Sequence, residues 1–235
     1  MNSQLKWLAL LLLLLATKMM QAQQNDVFKS QFTFGVGGGP VFSSVDFDPT
    51  IPQSSNQGIS AGVAVKFISE RHLGVLAELN YTQRGWTEDF SELPKNPDHS
   101  YSRTLNYIEL PLMTHIYFGN KVKFILNLGP QVSYMFSDKG TMNDALSGYV
   151  DEKQKEDPDA PLFLQYQDLD SKFDYGLLGG AGIAFDTAAG SFNLEGRYYF
   201  GLGDTFDNSR SKAGNFSRSA HRYFSGKLTY FFVSF

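Results

Sequence analysis

Four histidines, His72, His99, His115 and His221, are the side chains best suited to general acid–base chemistry or metal binding. None stands at ligand spacing from another histidine or a suitable acid, so no metal site is expected. A lipid-modifying hydrolase needs a serine and a histidine side by side. Ser100 next to His99, and Ser219 two residues before His221, are the nearby candidates. Adjacency in sequence is not triad geometry. There is also no nucleophile elbow, phosphate-cradling glycine loop or metalloprotease pair. The absence of cysteine rules out thiolate nucleophiles, Cys-ligated zinc, iron–sulfur clusters and disulfides. The net charge of −4 argues against nucleic acid as a partner. No catalytic residue and no cofactor are expected.

A second chemical group is more distinctive. Lys66, Glu78, Arg84, Glu109, Lys123, Asp174, Glu195, Arg197 and Lys227 each sit within a stretch of strict apolar–polar alternation. Period-two patterning predicts eight strands: 31–42, 58–67, 73–86, 103–118, 122–136, 173–185, 191–202 and 222–235. The cleanest sets Ile59, Ala61, Val63, Val65 and Phe67 against Ser60, Gly62, Ala64 and Lys66. In the last strand Tyr230-Phe231-Phe232 breaks the alternation and leaves the register open.

The connections alternate in length: long at 43–57, 87–102, 137–172 and 203–221, short at 68–72, 119–121 and 186–190. That is the plan of an up-and-down barrel in an outer membrane, with long external loops and short periplasmic turns. The competing reading is a soluble β-sandwich. Each run suits a tilted span of about 9–11 residues, whereas strands of soluble domains average about five or six. Phe32, Phe67, Phe118, Tyr134, Phe136, Phe173, Phe185 and Phe200 recur near the ends of the apolar face, as interfacial girdles require. The chain is aromatic-rich (15%) and charge-poor (19%), below the roughly 25% charge of soluble domains.

In hydrocarbon an unpaired amide costs several kcal/mol, so such strands must close into a cylinder. The apolar face then meets lipid and the polar face lines a narrow lumen that side chains fill. The nine charged residues, five cations and four anions, are expected to form one lumen ion-pair network. Gly62, Gly176, Gly180 and Gly182 leave room for larger neighbours. Pro111 and Pro130 fall inside strands, where each forfeits a ladder hydrogen bond. A bulge or kink is expected at Pro111, and a strand end or bulge near Pro130.

Residues 1–22 read as a cleaved signal peptide: Lys6, an apolar run from Trp7 to Ala16, and the small residue Ala22. Residues 23–30 form a short periplasmic segment and 31–235 the barrel domain. The loop 137–172 is rich in acid (Asp138, Asp144, Asp151, Glu152, Glu156, Asp157, Asp159, Asp168, Asp170) and is expected to be solvated. Its Asp157-Pro158-Asp159 suggests calcium but lacks the glycine and terminal Glu of an EF-hand. The loop 203–221 is basic, through Arg210, Lys212 and Arg218, with Arg222 just beyond it; it is expected either to clamp the acidic loop or to meet lipopolysaccharide.

The stretch Asn106-Tyr107-Ile108-Glu109-Leu110-Pro111-Leu112 resembles the outer-membrane β-barrel family of Bacteroidetes often labelled "porin family" or PorT-like. Gly129-Pro130, the segment Glu78–Gly85 and the terminal Phe235 are similar to other features of that family. The resemblance covers about 30–235. It implies an all-β, eight-stranded antiparallel transmembrane barrel (OmpA/OmpX-like) in a Gram-negative outer membrane of Bacteroidetes type. It also implies that Phe235 is read by the barrel-insertion machinery, and supplies no common catalytic residues. The expected protein is a monomer surrounded by outer-membrane lipid and lipopolysaccharide. It acts through its external loops in surface interaction or envelope assembly. The alternatives are a narrow channel or accessory of protein export (type IX secretion), with envelope or secretion proteins as partners, and a lipid-modifying enzyme.

Overall fold

The structure, a computed structural model, describes residues 30–91, 98–157, 164–208 and 216–234. The expected leader 1–22, nearly all of 23–30 and the terminal Phe235 lie outside those residues. Eight long strands follow one another: β1 (Gln31–Asp48), β2 (Asn56–Glu70), β3 (Leu73–Glu88), β4 (Tyr101–Gly119), β5 (Val122–Met142), β6 (Phe173–Thr187), β7 (Gly190–Asp204) and β8 (Arg218–Ser234). A two-residue rung, Gln53–Ser54, adds to the outer end of β3. Every strand is antiparallel to its sequence neighbours, and β8 returns to β1, with Phe42 opposite Phe224. The sheet therefore has no free edge across the bilayer, and each strand is paired on both sides. No helix among the described residues is long and apolar enough to cross a membrane.

Side chains alternate as the pattern requires. Ile59, Val63, Leu79, Leu112, Leu128 and Leu194 are exposed on the outer wall, while Glu78, Asn80, Glu109, Asn127, Glu195 and Lys227 are buried inside. Rings pair across strands at both rims, Phe32 with Phe67 (4.4 Å between centroids) and Tyr134 with Phe173 (5.0 Å). The short turns use left-handed backbone at Gly119 (φ 115°) and Gly190 (φ 144°), which a residue without Cβ adopts at little cost. In β8 the open register resolves with Phe231 inward and Phe232 outward.

Three expectations are corrected. First, the strands run on past the lipid band. β1 continues six residues beyond Phe42, and its outward positions Ser44, Asp46 and Asp48 are polar. At about 3.3 Å rise per residue, such extensions raise the wall by up to about 20 Å. Second, 137–172 is not one loop: β5 reaches Met142, and a helix α1 spans Asp144–Glu156. Asn143 caps that helix by accepting from the Leu146 amide (3.1 Å), a signal hidden within an acid-rich run.

Third, neither proline makes a bulge. Pro111 opposes Gln131 and Thr114 opposes Leu128 in one unbroken register, and Pro130 opposes Leu177 in line with its neighbours. The β4–β5 ladder instead skips the rungs at Leu112 and Met113, opposite Pro130 and Gly129. Proline lacks an N–H, and a Cβ at Gly129 would collide with the Leu112 carbonyl. A skipped rung needs no inserted residue, so the alternation survives. The shift in β4 lies higher, at Asn106/Tyr107.

Leu112, half-exposed on the outer wall, faces lipid mid-strand. Leu112→Arg is expected to destabilise the barrel by about 2–4 kcal/mol, and Gln83→Arg, above the band, by about 0–1 kcal/mol. Denaturant unfolding in phospholipid vesicles measures both; equal effects would place the membrane elsewhere.

Candidate functional site: the lumen and its roof

The nine charged residues do not form one network. Four of them make a cluster in the middle of the bore. Arg197 on β7 grips Glu78 of β3 with both terminal nitrogens (2.8 and 2.9 Å) and turns a third bond onto Glu195 (3.0 Å). Lys227 of β8 adds bonds to Glu78 (2.7 Å) and Asn80 (2.8 Å), while Asn127 donates to Glu195 (2.6 Å). Every member is buried. Two-pronged Arg–carboxylate geometry supplies the hydrogen bonds that desolvated charges require. Gly180 makes space for this: a Cβ there would come within 2.8 Å of the Arg197 side chain.

Three more charges lie nearer the outside. Arg84 is fully buried, 2.8 Å from Asp174 and 3.5 Å from Glu109. Its guanidinium also sits 3.7 Å over the Tyr107 ring, with Tyr199 and Tyr223 a little farther away (5.2 and 5.9 Å). Ring faces and charge, more than aligned hydrogen bonds, hold this cation. Thr82 (2.9 Å) and Tyr223 (3.1 Å) donate to Glu109. The two clusters are separated by a cavity of about 10 Å³ bordered by Glu109, Gln131 and Arg197, room for about one water.

Lys66 and Lys123 stand apart at the short-turn mouth. Lys123 pairs with Asp186 (2.5 Å), and Lys66 lies 4.0 Å over the Phe231 ring. Inward-facing parity was readable from sequence, but height along the bore was not. That both lysines lie close to short turns was the available clue.

Above the charged clusters the bore is plugged by apolar side chains. Trp86, Leu105 and Tyr107 pack with Val45, Phe47 and Leu146 of α1, and the Phe47 and Trp86 rings meet edge to face at 5.4 Å. Arg103 ties this plug to the third loop. It pairs with Asp138 and donates to the carbonyls of Gln165 (3.2 Å) and Gln167 (2.5 Å). Tyr166 donates to Glu88 (2.8 Å). None of these roof residues stands out by type. Their signal is that 101, 103, 105 and 107 keep the inward parity after the outer face has turned polar.

The acidic loop is thus partly an internal lid, a correction to its reading as solvated surface. Pro158 and Asp159 of the calcium-like triplet lie outside the described residues. In the described part of the basic loop, Arg218 (2.9 Å) and Arg222 (3.2 Å) bind Asp46 of β1, and the two loops meet where the Asp207 amide donates to Asp170 (2.8 Å). Arg210 and Lys212 lie outside the described residues. Ser219 Oγ accepts from the amides of Thr205 (3.0 Å) and Phe206 (2.9 Å). The His221 ring is buried with its Nε2 3.4 Å from the Tyr107 hydroxyl. The His99 ring lies against Phe90 (5.7 Å) and Tyr149 (5.3 Å), and His115 bonds Asn127 (2.7 Å). Among the described residues, no serine–histidine hydrogen bond and no three-residue metal cluster occurs.

Residues 21–207 match a protein-family model described as outer membrane protein beta-barrel domain. Curated protein sequences give no match. Similar solved structures include OprG of Pseudomonas aeruginosa (TM-score 0.47, 11% identity, 87% of this chain and 94% of that one). The neisserial surface protein NspA is another (0.43, 14%, 85% and 97%), as is Ail of Yersinia pestis (0.41, 12%, 88% and 100%). At these values the likenesses carry no argument about function.

Removing Arg84 leaves Asp174 and Glu109 buried without their cation. Arg84→Met is expected to cost about 3–5 kcal/mol, with part regained in Arg84→Met/Asp174→Asn. Urea titration followed by the gel shift of folded against heated barrel measures both, and no loss in the single variant contradicts the pairing.

Glu88 stands beyond the lipid band, since the outward residues flanking it on β3, Gln83 and Thr87, are polar. Burial drives its carboxyl up to about 7, partly opposed by the Tyr166 hydroxyl. The folded roof keeps a proton that the open chain has released. Its contribution is therefore full below the ordinary 4.5 and is lost as pH rises through about 7. Protection factors at 164–169, which compare hydrogen exchange with its intrinsic base-catalysed rate at each pH, are expected to be higher at pH 5 than at pH 8. Glu88→Gln should flatten the difference; an unchanged profile would exclude Glu88 as its source.

Proposed function

Because the chain belongs to the outer membrane protein β-barrel domain family, a small eight-stranded barrel in the outer membrane of a Gram-negative bacterium, we propose that it works through its external walls and roof in surface interaction or envelope assembly. The observation that carries this reading is the raised, closed roof. Strands extend past the lipid band, and α1, Phe206 and Phe216 pack onto Trp86 and Phe47 across the opening. A wall ordered by that packing presents its outward polar residues, Gln83, Thr87, Ser102 and Thr104, in a fixed array. Pre-ordered surfaces bind with less entropy loss than mobile loops. The protein partner belongs on these walls, lipopolysaccharide and other outer-membrane lipid lie around the belt, and the barrel works as a monomer.

Solute passage is the weaker reading. Two charged clusters and an aromatic plug occupy successive heights of the bore, leaving a void of about 10 Å³ between the clusters. A lipid-modifying enzyme is weaker still, because Ser219 Oγ already accepts from two backbone amides. The narrower placement, a PorT-like barrel of Bacteroidetes serving protein export, rests on Asn106–Leu112. In that reading Glu109 of the stretch has the structural task of holding Arg84.

Two measurements bear on the proposal. In planar bilayers the protein is expected to show no steady current; sustained conductance would overturn the closed bore. On intact cells, a photoreactive group at Gln83 is expected to crosslink a discrete envelope partner, whereas one at Thr187 on the short-turn side does not. Equal capture from both, or from neither, would remove the walls as the working surface.

A further inference from the structure

The short-turn mouth of the barrel contains an open cavity of about 290 Å³ that plays no part in the external reading. Strands from almost the whole circumference line it. Its polar groups include Gln31, Thr33, Lys66, His115, Lys123 and Asp186, and Phe231 and Ile125 contribute apolar surface.

Lys66 is the unusual member. It is only 9% exposed, yet among the described residues no carboxylate lies within ion-pairing distance and no hydrogen bond reaches its ammonium. Its contact is the Phe231 ring, 4.0 Å away. The nearby charges are already engaged: Lys123 with Asp186, and Glu195 with Arg197 and Asn127. A buried ammonium without a counter-charge is costly. His115 bonds Asn127 through Nδ1 (2.7 Å), leaving Nε2 as the ring nitrogen free for the cavity.

We propose that this mouth is a binding site for a small oxyanion group, a phosphate or carboxylate, which takes the Lys66 ammonium as its main partner. The Thr33 hydroxyl and Lys123 serve as secondary contacts. Asp186 sits at the same site as a repelling carboxylate and keeps the binding moderate. The apolar lining suits a ligand with a greasy body behind its anionic head. Such a group reaches the mouth either as the head of a phospholipid in the periplasmic leaflet or as a soluble phosphate compound.

The full barrel in maltoside micelles, which carry no phosphate, provides the test by NMR titration. Inorganic phosphate is expected to give saturable shifts confined to Thr33, Lys66, His115 and Lys123. Lys66→Gln is expected to weaken binding by about tenfold or more, while Asp186→Asn strengthens it. The amide spectrum of Lys66→Gln shows directly that it stays folded. Dihexanoyl phosphatidylglycerol competing at lower concentration than phosphate identifies the lipid source; weaker competition identifies a soluble one. No saturable shift, or an unchanged titration in Lys66→Gln, overturns the site. Either result leaves the external-wall reading intact, since that reading does not involve this mouth.

Discussion

Backbone amides inside hydrocarbon have no water to bond, so each must find a carbonyl on a neighbouring strand. The return of β8 to β1 satisfies that demand, and the rest of the molecule depends on it. Once the sheet is closed, period-two geometry separates the chain into two surfaces with opposite chemistry. Leucines and valines face outward, and Glu78, Arg197 and Lys227 face a bore too narrow for bulk water. The prolines show how strong the constraint is. Pro111 and Pro130 forfeit donors, yet the register passes both unchanged, because the loss is confined to two skipped rungs in each of two seams, β3–β4 beside Pro111 and β4–β5 beside Pro130.

The bore answers the cost of buried charge in two different ways. Around Arg197, four charges from β3, β7 and β8 saturate one another with aligned hydrogen bonds. Around Arg84, three tyrosine faces surround a cation whose two carboxylates are close but less well aligned. Above both, apolar packing takes over as the walls leave the membrane. Polar interior at membrane depth and apolar interior above it is the reverse of the outer face, which is greasy in lipid and polar beyond it. A molecule built in this way is stiff along its length, and its variable chemistry is displayed at its two ends. One end presents ordered walls and a roof; the other holds, in an open cavity, a lysine that meets no carboxylate among the described residues.

Much of this is legible in the sequence. Strand count, order, facing and the short turns follow from alternation and loop lengths, and all nine charged residues lie on the inner face or at its mouth. The grouping of those nine did not follow. Alternation reports which face a residue occupies, but not its height, so Lys66 and Lys123 could not be separated from Arg197. The roof was missed for a related reason. Trp86, Tyr101 and Arg103 carry the inward parity, but once Gln83 and Thr87 turn the outer face polar, the contrast that marks a strand fades. Helix α1 lay within a run of acids that reads as solvated, its Asn143 cap obscured by similar neighbours.

The sequence alone, then, determined a closed barrel with lipid outside and charge inside, because a two-residue period and a hydrocarbon solvent admit little else. The tertiary structure alone decided which charge meets which, that the acidic loop folds inward as a lid, and that Lys66 meets the Phe231 ring but no carboxylate among the described residues. Those outcomes depend on strand stagger and on contacts between residues more than a hundred positions apart, such as Glu78 with Arg197. No local pattern encodes such a distance.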